Sequence, residues 1–124
     1  MDKQKFEELV AAVVENLPEE FAANLDNIDV VVEDEPTPAQ LRNARLRRTH
    51  TLLGLYEGIP LTGRSSNYGL VPPDKITIFQ KPIEEACKGE HEIMAEISKV
   101  VKHEIAHHFG IDDARLRQIE RGRA

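Results

Sequence analysis

The chain has 124 residues, of which 40% are hydrophobic and 31% are charged, so we expect one domain, residues 1–124, around one core. The net charge of −6 argues against nucleic acid as a partner, because phosphate binding requires a basic surface. No stretch has the roughly 18 to 20 apolar residues of a membrane span. Because a lone cysteine, Cys87, forms no internal disulfide, and the first residues do not have the pattern of a secretion signal, we expect a cytoplasmic location.

The N-terminal third of the chain predicts two helices and a strand. Apolar residues recur at helical spacing from Asp2 to Leu17, and a short second helix is expected from Phe21 to Leu25. The β-branched segment Asn27–Pro36 is typical of a strand. The polar and basic segment after it is either a loop or a short helix opened by Thr37 and Pro38.

The middle of the chain predicts two further strands and the longest loop. Thr49–Gly58 is expected to be a strand, and Ile59–Pro73 is rich in turn residues. A third strand is predicted for Asp74–Pro82, where apolar and polar residues alternate. A helical turn is expected from Pro82 to Cys87.

The longest predicted helix lies near the end of the sequence. It runs from Glu90 to Phe109 and ends at Gly110, after which Asp112 or Asp113 begins a short final helix. These elements together predict an α+β fold, with a small mixed sheet of three to four strands packed with helices.

The segment HEIAHHFGIDD, residues 103–113, contains three histidines and three carboxylates. His103 and His107 are one helical turn apart, about 40° around the axis, so both imidazoles can reach one metal ion. Glu104 lies beside them without having to be a ligand. This HExxH spacing is typical of a zinc site in which the glutamate is the general base.

The apolar stripe of the same helix provides a test of this hypothesis. Ile93, Ile97 and Val100 form the stripe, and its continuation falls on Glu104 and His107. Ionisable groups on a buried face are costly unless they are paired or bind an ion. The alternative is a surface helix end whose histidines complement the helix dipole.

A third protein ligand is expected shortly after the helix. In H-E-x-x-H-x-x-G-x-x-H proteases, a glycine turns the chain so that a last histidine reaches the metal. Here Gly110 is in register and Asp113 has the position of that histidine, and a carboxylate is an acceptable zinc ligand. Asp112, one residue earlier, is the alternative, although it is also suited to cap the last helix.

Other polar residues have weaker spacing signals. His108 is expected beside the site or on the surface, His50 and His91 on the surface, and Cys87 in a small apolar contact. The edge of Lys75–Gln80 either holds an extended peptide or is fully paired in the core. Three side chains are either ordinary turn residues or donors to a developing oxyanion; they are Arg64, Asn67 and Tyr68. A local basic cluster is either a solvated surface or a docking patch; it consists of Arg42, Arg45, Arg47 and Arg48.

The segment VKHEIAHHFGIDDARL, together with GLYEGIPLTGR and PDKITIFQKPI, resembles the small single-domain bacterial zincin-like metallopeptidase family with the motif HExxHxxGxxD. The resemblance covers roughly residues 30–116. It implies a minimal zincin fold, a metal bound by His103, His107 and Asp113, and Glu104 as general base. The chain departs from the longer H-E-x-x-H-x-x-G-x-x-H proteases because its last predicted ligand is an acid and no methionine follows the site.

Two functions follow as hypotheses. The first is a zinc-dependent peptidase with one Zn²⁺ per chain, in which Glu104 takes a proton from the attacking water. The second is a zinc-binding module that recognises a peptide or protein without cleaving it. A pure binding site needs no base, so Glu104 favours the enzyme. We expect a peptide or protein as partner, with no nucleic acid and no membrane, and a monomer is the working hypothesis.

Overall fold

The computed structural model describes residues 1–25, 28–43, 52–58, 74–110 and 113–121, with only the backbone given for residues 43, 113, 116 and 120. These residues form helices and three strands. In chain order they are α1 (Lys3–Glu15), α2 (Glu19–Ala22), a 3-10 turn (Ala23–Leu25), β1 (Ile28–Glu33), α3 (Pro38–Asn43), β2 (Gly54–Glu57), β3 (Asp74–Phe79), α4 (Gln80–Ala86), α5 (Glu90–His108) and α6 (Asp113–Arg121).

Side-chain caps define the beginnings of two helices. The Asp2 carboxylate accepts a hydrogen bond from the Lys5 backbone N–H at 2.7 Å, so α1 starts where the sequence predicts it. At α3, the Thr37 hydroxyl accepts from the Gln40 backbone N–H, and the Gln40 side chain accepts from the Thr37 backbone N–H. This reciprocal pair is a capping box. In the described part of this segment, the short-helix alternative is therefore correct.

The three strands form one mixed sheet in the order β1-β3-β2. β1 is parallel to β3, with Val30 opposite Ile76, and β2 is antiparallel to β3, with Tyr56 also opposite Ile76. The structure confirms the predicted α+β class and the mixed sheet with helices packed against it.

The central strand β3 differs from its predicted extent at one end. The strand ends at Phe79, and Gln80 begins α4, although the alternation of the sequence continues through Gln80. The Gln80 side chain donates to the Met1 carbonyl at 2.8 Å and to the Glu84 carboxylate at 2.9 Å, and these contacts hold it at a helix start. Pro82 fits in the first turn of α4, where its missing N–H would have no helical partner. The predicted helical turn therefore begins two residues earlier than expected.

The central position of β3 also decides between the two alternatives for its edge. Ile76, Thr77, Ile78 and Phe79 are all fully buried, and both edges of β3 are paired with other strands. The fully paired alternative is therefore correct, and the hypothesis that Lys75–Gln80 offers a free edge to a peptide is wrong.

The core lies between the sheet and the helices α1 and α5. Its largest fully buried side chains include Phe6 of α1, Phe21 of α2, and Ile97 and Ile105 of α5. Gly54 of β2 lies against α5 so closely that a Cβ there would collide with the Val100 side chain. This close approach brings β2 next to the HExxH segment. None of the helices in the described ranges is long and apolar enough to cross a membrane.

Candidate metal centre and catalytic site

Helix α5 presents two of the predicted ligands side by side. The ring centres of His103 and His107 are 6.1 Å apart, and their planes are inclined by 46°. Because α5 continues unbroken to His108, both imidazoles lie on consecutive turns of one rigid helix. His103 is half-buried and His107 is exposed, so a metal ion bound between them would be accessible from solvent.

The buried face of α5 differs from the predicted stripe. Ile93, Ile97 and Val100 are buried as expected, but the stripe then continues through Val101 and Ile105. The prediction that it falls on Glu104 and His107 is therefore wrong in that detail. Val101 and Ile105 follow Ile97 at four-residue spacing and occupy the core side of the helix, which leaves Glu104 half-buried at its border.

Glu104 is held by the backbone of a neighbouring strand. Its Oε1 accepts a hydrogen bond from the Tyr56 backbone N–H at 2.8 Å. The Phe79 N–H donates to the Leu53 carbonyl at 3.0 Å, and in an antiparallel pair the residues bonded to the partner strand alternate along each strand. The N–H of Tyr56 therefore faces away from β3 and toward α5, where it fixes the carboxylate.

The environment of Glu104 raises the pKa of its carboxyl group above the ordinary value. Desolvation by burial is the largest cause. The hydrogen bond from Tyr56 and the proximity of His107 and His103 act in the opposite direction and do not cancel it. A carboxylate with a raised pKa is a stronger base than an exposed glutamate, as a proton acceptor at neutral pH should be.

The side chain of Tyr56 continues the same link between β2 and α5. Its ring stacks on the imidazole of His108, with centres 3.8 Å apart and planes inclined by 15°. Its hydroxyl donates to the Asp74 carboxylate at 2.7 Å. Phe109, which is 44% exposed, meets both rings edge-on. The last turn of α5 is thus tied to both β2 and β3 beside the two predicted ligands.

An open cleft of about 310 Å³ runs between the start of β2 and α5. One wall is Leu52, Leu53 and Gly54, and the other consists of α5 residues, namely Glu96, Lys99, Val100, His103 and Glu104. The cleft leads to His103 and Glu104, so a substrate lying in it would reach the group predicted to act as base.

The turn after α5 has the predicted glycine conformation. Gly110 has a φ of +74°, in the left-handed region that favours glycine, and α6 begins at Asp113. The Asp113 side chain and all of Asp112 lie outside the described part of the chain. Among the side chains that are described, no group of three His, Cys, Asp or Glu residues is arranged to hold a metal ion. The third ligand therefore stays a prediction.

The remaining candidates are separate from this site or fall outside the described ranges. His91 is exposed in the first turn of α5. Cys87 is partly buried against the core, and its thiol donates a hydrogen bond to the Glu92 carbonyl. Arg42 is exposed at the end of α3. The structure does not describe His50, Arg45, Arg47, Arg48, Arg64, Asn67, Tyr68 or the predicted loop Ile59–Pro73.

Two residues that position the site were not identified from the sequence. Gly54 and Tyr56 lie in the predicted strand Thr49–Gly58, of which only Gly54–Glu57 is strand among the described residues. A glycine inside a strand indicates that another chain segment approaches closely, and this signal was available at Gly54. A backbone N–H such as that of Tyr56 has no signature in the sequence.

Comparisons with known proteins identify the family and a similar fold. Residues 25–123 match the family model described as zincin-like metallopeptidase. Among solved structures, a conserved hypothetical protein from Thermus thermophilus is similar in fold, with a TM-score of 0.55 and 22% sequence identity over 88% of this chain and 94% of that chain. The comparison with curated proteins finds no match. Because the family model spans most of the sequence, the chain belongs to the zincin-like metallopeptidase family.

Proposed function

We propose that the protein is a zinc-dependent peptidase that hydrolyses a peptide bond in a peptide or protein substrate. One Zn²⁺ per chain would be held by His103, His107 and Asp113, and Glu104 would act as the general base. The observation that carries the proposal is the half-buried Glu104, held by the Tyr56 N–H beside two adjacent imidazoles.

The donor set fits a zinc ion. Imidazole nitrogens bind zinc at about 2.0–2.1 Å, and rings on adjacent helical turns with centres 6.1 Å apart can share one ion. Catalytic zinc sites use three protein ligands and leave one position open. The left-handed turn at Gly110 supports Asp113 as the third ligand, since it redirects the chain directly after the helix that carries the histidines.

Glu104 has the position and the basicity that hydrolysis requires. Zinc at such a site supplies a Lewis acid that lowers the pKa of bound water toward 7 and polarises the scissile carbonyl. Glu104 takes a proton from the attacking water and later delivers it to the leaving amine. The hydrogen bond from Tyr56 occupies only Oε1, so Oε2 is the oxygen that we assign to proton transfer.

The second candidate function, zinc-dependent recognition without cleavage, explains less of the site. Burying a carboxylate costs free energy, and a recognition module gains nothing from a desolvated base next to its metal. The raised pKa of Glu104 and the cleft that leads to it support catalysis instead.

The test separates metal binding from chemistry. Elemental analysis of wild type should find about one zinc per chain, and His103→Ala and His107→Ala should each lose most of it, because a catalytic site needs all three protein ligands. His91→Ala, an exposed histidine on the same helix, is the matched control and should keep the metal. Metal at wild-type level in both ligand variants would exclude the proposed site.

The chemical step is tested with an unbiased peptide library and mass spectrometry of the products. Wild type should produce cleavage products that Glu104→Gln does not, while the variant keeps its zinc. A wild-type protein that binds zinc and peptides but leaves every peptide intact would support recognition without cleavage. Equal turnover by the two proteins would show that Glu104 is not the base.

A further inference from the structure

A groove of about 390 Å³ lies between α1 and β1, at the edge of the sheet opposite the strand that borders the candidate site. Val10 and Val32 at its base are buried, whereas the apolar residues nearer its mouth are only partly covered, namely Val14, Leu25, Ile28 and Val30. The groove is therefore an apolar surface that the described part of the fold leaves partly open to solvent.

One wall of the groove is the outer strand of the sheet. β1 pairs with β3 on one side, and within the described residues no strand pairs with its other side. The free edge of a strand presents backbone N–H and C=O groups that an extended peptide can bind. The groove thus combines a strand edge with an adjacent apolar surface, and an extended peptide can bind to both.

The rim of the groove is acidic. Glu7 and Glu15 of α1 and Asp29 of β1 line it, and all three are exposed. No lysine or arginine is among the lining residues. An apolar floor with a negative rim is complementary to a segment that alternates apolar and basic side chains.

We propose that this groove is a docking site for an extended cationic segment of a partner protein, which adds to β1 as a fourth strand. Its apolar side chains would contact the partly exposed floor on the α1 side of the sheet. Its basic side chains would lie on the opposite face of the added strand, beside Asp29, while Glu7 and Glu15 add to the negative potential around the groove. The charge argues for a different protein rather than a second copy, because this chain carries a net charge of −6. The site is independent of the proposed peptidase activity, since β3 separates β1 from β2 and the cleft.

The probe for this site is a fluorescein-labelled heptapeptide of alternating lysine and valine, titrated by fluorescence anisotropy. The protein is the Glu104→Gln variant, so that the probe cannot be consumed by hydrolysis. Removing the rim charges should weaken binding by about tenfold, as expected for the loss of three partly screened charge attractions. The rim variant carries Glu7→Gln, Glu15→Gln and Asp29→Asn.

A matched variant controls for net charge. It removes three exposed carboxylates that do not line the groove, Glu8→Gln, Glu19→Gln and Glu85→Gln, and it should bind the probe with nearly unchanged affinity. Equal weakening in both triple variants would show that the probe binds through the overall charge of the protein and not through the groove, and would overturn the proposal. Absence of any binding by the unaltered groove would overturn it as well.

Strand addition is tested by modifying the peptide, so the result does not depend on whether a protein variant folds. In an extended peptide the lysine N–H groups point to one edge and the valine N–H groups to the other. N-methylation of one set should abolish binding, and N-methylation of the other set should not. Equal affinity of both methylated peptides would exclude backbone pairing with β1.

Amide chemical shifts locate the bound probe. Titration should move the resonances of Ile28–Glu33 and of the α1 residues that line the groove. Shifts confined to Gly54–Glu57 and the second half of α5 would place the peptide in the catalytic cleft and would overturn the proposal.

Discussion

The ring of Tyr56 stacks on the imidazole of His108 at 3.8 Å, while the backbone N–H of Tyr56 holds Glu104 at 2.8 Å. One strand residue therefore contacts two consecutive turns of α5. His108, which the sequence places beside the site or on its surface, is exposed yet packed against this ring. The geometry makes Tyr56 a link between the sheet and the HExxH segment.

Two substitutions separate the contributions of Tyr56 to stability. Tyr56→Phe keeps the ring and loses the hydroxyl bond to Asp74, so the free energy of unfolding should fall by about 0.5–1.5 kcal/mol. Tyr56→Ala also removes the stacking on His108, which should cost about 0.5–1.5 kcal/mol more, in addition to lost apolar burial. Urea unfolding measures both values. Equal stability of the two variants would contradict a contribution from the stacking.

Because its pKa is raised in the folded state, ionised Glu104 lowers the stability of the folded, metal-free protein. Stability linked to such a group is present below the unfolded pKa and is lost as pH rises through the folded pKa. Glu104→Gln should therefore unfold at a higher temperature than wild type at pH 7 in the presence of a chelator. The difference should shrink as the pH falls below the ordinary glutamate pKa, where Glu104 is protonated in both the folded and the unfolded state. Identical melting curves at pH 7 would argue against the desolvation of Glu104.

Gly54 should not tolerate a side chain. A Cβ there would collide with Val100 and lie 3.2 Å from the Thr77 carbonyl oxygen, so Gly54→Ala should destabilise the protein by about 1–3 kcal/mol. Gly58→Ala is the matched control, because the nearest described atoms to a Cβ at Gly58 are those of Asp74, at 3.8 Å or more. The double variant Gly54→Ala, Val100→Ala should recover part of the loss. Thermal unfolding of the three variants decides this prediction.

The aspartates after Gly110 are distinguished by zinc affinity. Asp113→Ala should bind zinc much more weakly, and Asp113→His should retain it, because histidine is also a zinc ligand. Asp112→Ala should cost only a helix cap, about 1 kcal/mol of stability, with affinity unchanged. A competitive titration with a chromophoric chelator measures these affinities. Loss of zinc in Asp112→Ala but not in Asp113→Ala would mean that the ligand is one residue earlier than proposed.

The thiol of Cys87 should react slowly with alkylating reagents. Partial burial is the first cause of its raised pKa, followed by the negative charges of Glu96 and Glu92, so less thiolate is present at pH 8 than for a free cysteine. Glu96→Gln should lower that pKa and speed alkylation by iodoacetamide. Glu85→Gln changes the net charge equally and should not change the rate. Equal acceleration by both variants would leave Glu96 without a specific effect.

Periodic and capped elements could be predicted from the sequence because their signals are local. The apolar spacing of α1 and α5 and the β-branched residues of β1 place these elements within a few residues of their observed bounds. The end of β3 could not be located in this way. Alternation extends through Gln80, but the contacts that place Gln80 in a helix involve Met1, which is distant in sequence.

The site shows the same division between local and distant information. His103, Glu104 and His107 follow from spacing along one helix. The hydrogen bond that fixes Glu104 comes from a backbone N–H 48 residues away, and any backbone could supply it. The burial of Glu104 also depends on Val101 and Ile105 turning toward the core, which the stripe of Ile93, Ile97 and Val100 alone does not reveal.

The way α5 is anchored has a consequence for how the protein acquires its metal. Val101 and Ile105 fix the helix in the core on one side, while His103 and His107 lie on the more open side. The two imidazoles are therefore positioned by apolar packing and not by the ion. In small zinc domains that fold only around their metal, part of the binding energy is consumed in ordering the chain. If the proposed zinc site is correct, the two histidines would already be in place before zinc binds, and zinc could leave without unfolding α5.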